Sequence, residues 1–161
     1  MANASAPHPG PAHRRLDVFV GGWQMTGRQF ETSFGPAAPV QARERYDWLP
    51  GGFFLVHRFD GKLGEQDMAC IEVIGPDGAG GYFQHAFYND GLAMHWRAQE
   101  RDGRWTIEGD WPAQPQPVRV RCTVRFAAGN RSRHAVWERS SDGRDWQTFW
   151  DVTATRQDPR E

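Results

Sequence analysis

Five Asp-Gly pairs punctuate the sequence, at 60–61, 77–78, 90–91, 102–103 and 142–143, and Gly129-Asn130 adds a sixth break of the same kind. Each pair supplies residues that take positive φ at little cost, which tight hairpins need and helices exclude. Between the breaks lie runs of β-branched and aromatic residues. Helical spacing of apolar residues is confined to the short stretch "HRRLDVFV". The pattern predicts a short helical turn within 14–20, then ten strands near 22–31, 39–49, 53–60, 66–74, 80–88, 92–100, 104–110, 117–127, 132–140 and 145–155. The proline-rich "DWPAQPQPV" lacks ladder donors and is expected to be an irregular crossing at one rim.

Turn register assigns faces. With Asp90-Gly91 as a two-residue loop, Phe87 faces Met94, His85 faces Trp96 and Phe83 faces Ala98 on an apolar, inward side, leaving Gln84, Ala86, His95 and Arg97 to solvent. Asp102-Gly103 then pairs Ala98 with Ile107 and Glu100 with Trp105. Gly129-Asn130 pairs Val124 with Ala135, Cys122 with Trp137 and Arg121 with Glu138, and Asp142-Gly143 sets Trp150 against Ala135. On the neighbouring strands His57 alternates with Leu55 and Phe59 and is expected to face in. For 66–74 both faces are equally apolar, so the side that carries Glu72 stays open.

A meander of ten strands with one apolar face hides that face and both edges by closing into a barrel, and ten strands leave room for a small ligand. With 161 residues the chain is sized for one domain, expected over 16–156 with loose ends at 1–15 and 157–161. A formal net charge of −1 offers no field for nucleic acid or an anionic membrane; the arginines 119, 121 and 125 read as a solvated strand face with cross-strand ion pairs. The opening "MANASAPHPGPAHRR" has no apolar core, so neither a signal segment nor a membrane span is expected, and Cys70 and Cys122 read as reduced, buried thiols of a cytoplasmic protein.

Gly21-Gly22-Trp23, at the start of the first strand, resembles the Gly-x-Trp signature of the calycin group, the lipocalins and their relatives. The resemblance implies a lipocalin-like barrel in which Trp23 plugs the closed end under an arginine of the last strand, here Arg156. Together with "FVGGW" and the finish "WERSSDGRDW", the chain resembles uncharacterised bacterial lipocalin-like domains. Similarity to fatty-acid-binding barrels and to the haem-carrying nitrobindins is more distant: "TSFGPAAP" is too short for the two-helix lid of the former, and "WDVTATRQDPRE" lacks the histidine that the latter place near the C-terminus.

The leading expectation is a barrel that binds a small hydrophobic or aromatic molecule, without cofactor or metal. Phe83, Phe87, Met94, Trp96, Trp137 and Trp150 form the pocket wall in this reading, and Tyr46, His57 and His85 supply the few polar groups such pockets carry. Three alternatives stand beside it. One is an isomerase- or cyclase-type enzyme using His85 and Glu72 for acid–base chemistry, and another is a haem-binding barrel through His85. The third is an interaction domain that dimerises through Phe54, Val56 and Phe149. A metal would need His57, His85 and Glu72 to converge; hydrogen-bonded polar spots in an apolar cavity are the simpler expectation.

Overall fold

The computed structural model describes residues 7–33, 35–112 and 117–158; 1–6 and 159–161 of the termini, residue 34, and 113–116 of the proline-rich crossing lie outside the described residues. A helix α1 (Pro11–Arg15) runs into a 3-10 turn at Leu16–Val18. Ten strands follow: β1 (Gly21–Gln29), β2 (Ala38–Trp48), β3 (Leu55–Leu63), β4 (Gln66–Pro76), β5 (Tyr82–Tyr88), β6 (Ala93–Arg101), β7 (Arg104–Trp111), β8 (Val118–Phe126), β9 (Ser132–Ser140) and β10 (Gln147–Gln157). They form one closed antiparallel barrel in which each strand pairs with its neighbours in sequence and β10 returns to β1. The expected all-β meander is therefore observed.

Alternation produces the wall. On β2, Val40, Ala42, Glu44 and Tyr46 are buried while Gln41, Arg43 and Arg45 between them are exposed. One end of the lumen is closed by Leu16, Phe19 and Trp23, which are buried together. The Trp23 ring nitrogen donates to Phe19 O at 2.7 Å. The Arg156 guanidinium lies 4.3 Å from the centre of that ring and donates to Val18 O, Val20 O and Asn130 O. The segment before residue 16, read as a loose end, has its described part docked on this end, with His13 edge-on to Phe53 and Tyr82 Oη donating to Ala12 O.

Two hairpins have the expected register: Ala98 pairs with Ile107 and Glu100 with Trp105, and Val124 pairs with Ala135, Cys122 with Trp137 and Arg121 with Glu138. The β5–β6 hairpin differs. Tyr88 N donates to Leu92 O and Gly91 N to Tyr88 O, so Asn89, Asp90 and Gly91 form a three-residue loop with Gly91 at φ +88°. That extra residue slips the register by one and pairs Gln84 with Trp96, His85 with His95 and Ala86 with Met94. Every side chain of β5 thus changes face: Tyr82, Gln84 and Ala86 are buried, while Phe83, His85 and Phe87 lie on the outer wall.

The last hairpin also departs from expectation, since Trp150 pairs with Trp137 and Val152 takes the place opposite Ala135. The Asp142 carboxylate gathers the backbone N–H groups of Arg144 and Asp145, which lengthens the turn, and the register shifts again between Thr148 and Trp150. Asp60-Gly61 is no turn but part of β3. A Cβ on Gly61 would overlap Ala42 and Gln41 O of β2, so glycine there permits close strand approach, and the chain reverses instead at Gly64.

The clamp of Arg156 over Trp23 should dominate the closed end. Arg156→Met is expected to lower the folding free energy by about 2–3 kcal/mol in urea denaturation. The same change at exposed Arg43 should cost about 0.5 kcal/mol or less.

Candidate functional site

Four adjacent strands each turn one polar side chain into the lumen: Glu44 from β2, His57 from β3, Glu72 from β4 and Gln84 from β5. Arg133 enters from β9 on the far side, and all five are at most 7% exposed. They form a chain. Arg133 Nη2 donates to Glu44 Oε2 at 2.5 Å, Glu44 Oε1 lies 3.2 Å from His57 Nε2, His57 Nδ1 is 2.7 Å from Glu72 Oε2, and Gln84 Nε2 donates to the same oxygen at 2.5 Å. The rings of Tyr46 and His57, directly paired across the two strands, stack at 4.0 Å and 8°. The 3.2 Å contact at His57 Nε2 is an ion-pair distance without hydrogen-bond alignment, so this nitrogen has no hydrogen-bond partner among the described residues.

A buried carboxylate stays charged only beside a positive partner. Burial alone would raise the pKa of Glu44, but the Arg133 guanidinium and His57 outweigh it and hold the group down at about 2. Burial alone would lower the pKa of His57; the opposing charge of Glu72, the hydrogen bond with it and the neighbouring Glu44 carboxylate instead raise it to about 9. At neutral pH the Glu44 carboxylate thus lies between two cations, Arg133 and His57. Burial also pushes the thiol of Cys70 and the phenol of Tyr46 upward, so both stay neutral.

Beside this chain lies a cavity of about 140 Å³. The polar groups and Cys70 form one side, and apolar residues that include Met68, Ile107, Trp111, Trp137, Phe149 and Trp150 form the rest. The cavity continues into a wider mouth of about 410 Å³ bordered by Gln66, Asp67, Asn89 and Asp90, at the end of the barrel opposite Trp23.

Of the residues picked out from the sequence, Tyr46, His57, Trp137 and Trp150 line the cavity, and Glu72 faces in. Met94 and Trp96 are buried but pack with Ala86 and Val120 in a separate cluster outside the cavity lining. Phe83, His85 and Phe87 are on the outside, where Phe83 meets Phe54 and His85 meets His95, so the convergence of His57, His85 and Glu72 does not occur. Of the supposed dimer residues, Phe54 is exposed, Val56 is buried and Phe149 lines the cavity.

Glu44, Gln84 and Arg133 were missed, and Cys70 had been read only as an inert thiol. For Glu44 and Arg133 the signal was parity, whereas Gln84 turns inward only through the register slip of β5. Glu44 sits between Ala42 and Tyr46 on the inward side of β2, and Arg133 shares the inward side of β9 with Ala135 and Trp137.

The fold and site define a closed ten-stranded barrel with one open mouth and a charge-compensated polar group beside an apolar cavity. The sequence matches, over residues 8–156, the family described as protein of unknown function DUF1579, and the chain belongs to that family. Among solved structures, the crystal structure of Rv2717c from M. tuberculosis is similar at a TM-score of 0.71, covering 92% of this chain and 99% of that one at 12% identity; the likeness is one of fold. None of the curated proteins matches.

Because the folded-state pKa of His57 is raised, its contribution to stability is complete below about pH 6.5 and is lost as pH rises through about 9. Denaturation in EDTA should show stability falling by about 3 kcal/mol over that interval, and His57→Gln should flatten the profile. Arg133→Met, which strands the Glu44 carboxylate, should cost about 3–5 kcal/mol near neutral pH.

Proposed function

We propose that this protein is a calycin-type binding barrel that takes up a small hydrophobic or aromatic molecule carrying one polar group. The observation that carries this reading is the two-sided cavity: aromatic and aliphatic walls toward the mouth, and at its depth the cluster of Tyr46, His57, Glu72 and Gln84. A volume of about 140 Å³ suits a single aromatic ring with a short substituent, and larger ligands would extend into the mouth. The plug of Trp23 beneath an arginine of the last strand supports the calycin comparison. The two unpaired cysteines fit a reducing, cytoplasmic setting.

Binding is favoured over acid–base catalysis by the state of the histidine. A side chain held protonated to about pH 9 between two carboxylates is a hydrogen-bond donor at neutral pH, not a general base. His85 on the outer wall supports neither a catalytic role in the cavity nor haem ligation within it.

The test is titration of the purified protein with single-ring phenols, followed by tryptophan emission, since Trp111, Trp137 and Trp150 line the cavity. Saturable quenching at one ligand per chain is expected. Ala135→Phe, which fills the cavity from β9, should weaken binding by a factor of about 10 or more, ~1.4 kcal/mol. Absence of response across the panel, or unchanged affinity in Ala135→Phe, overturns the proposal.

A further inference from the structure

We propose that His57, Cys70 and Glu72 form a zinc-binding site whose fourth coordination position faces the cavity. The backbone brings them together. Cys70 and Glu72 are two residues apart on the inward face of β4, and His57 is the direct cross-strand partner of Glu72, placing Cys70 on its diagonal. One ligand atom from each side chain, a ring nitrogen, the Sγ and a carboxylate oxygen, lie within 4.8 Å of one another. Tetrahedral zinc, with bonds of about 2.0–2.3 Å, sets its ligand atoms roughly 3.3–3.8 Å apart. The 2.7 Å contact between His57 Nδ1 and Glu72 Oε2 opens to that separation as the ion replaces the shared proton.

The donor set suits zinc. Thiolate, imidazole and carboxylate together are borderline-soft, and three protein ligands with one open position are the pattern of zinc sites that bind an exchangeable molecule. Charge also balances. Thiolate and carboxylate neutralise a divalent cation, the proton of Cys70 and the one shared by His57 Nδ1 and Glu72 leave for solvent, and Glu44 remains compensated by Arg133.

The surroundings are those of a supported metal site. With Nδ1 as ligand, His57 Nε2, which has no hydrogen-bond partner, is turned toward the Glu44 carboxylate, and Gln84 already orients Glu72. The mouth supplies a path for a cation past the carboxylates of Asp67 and Asp90. The open position would then be filled by water or by a donor atom of a cavity ligand.

The experiment uses the full chain, stripped with EDTA, dialysed and titrated with cobalt(II) as a spectroscopic stand-in for zinc. A thiolate-to-cobalt charge-transfer band is expected to saturate at one equivalent and to disappear on addition of zinc. Cys70→Ser should abolish the band, His57→Gln should abolish it too, and Cys122→Ser should retain it, with folding of each variant checked by circular dichroism. Gln84→Leu should keep the band and weaken zinc binding about tenfold. No band in the natural sequence, or a band that survives Cys70→Ser, overturns the proposal. Cobalt loading is read without any organic ligand, so its outcome is independent of the fluorescence titration.

Discussion

Two carboxylates inside an apolar tube set the terms for everything around them. A buried charge without a partner is costlier than the stability of most domains of this size can absorb, so Glu44 and Glu72 require cations at contact distance. Arg133 reaches Glu44 across the lumen from β9, and β2 is separated from β9 by β10 and β1 around the ring. The ion pair thus joins strands that are not neighbours, and with the stacked Tyr46 and His57 it forms part of the cavity lining.

Whereas the plug was implied by the resemblance of Gly21-Gly22-Trp23 to the Gly-x-Trp signature, the meander and the closure were legible because they depend on local chemistry, turn residues at positive φ and alternation along each strand. His57 and Tyr46 were legible for the same reason. His85 was misplaced by a single residue. Asp90-Gly91 is compatible with a two-residue or a three-residue loop, and because side chains alternate, that difference exchanges the whole inner face of β5 for its outer face.

Glu44 and Arg133 illustrate a different limit. Their positions in the alternation pointed inward, yet a charged residue read alone suggests solvent. What makes each tolerable inside is the other, 89 residues away in sequence and three strands away around the barrel. Nothing local to either segment announces that partnership. Glu72 likewise sits on a strand whose two faces are equally apolar, and its direction is decided by the histidine opposite it.

The plug at Trp23 also governs exchange. With one end sealed by Phe19, Trp23 and the Arg156 clamp, the lumen is a blind tube. Among the described residues the open end is the single passage, so a molecule bound as proposed would have to depart before another could replace it. The rim of that passage is formed by Phe149 and Trp150 and by the turns around Asp67 and Asp90, so in the proposed binding role these residues are the first that an entering molecule meets and the last it leaves.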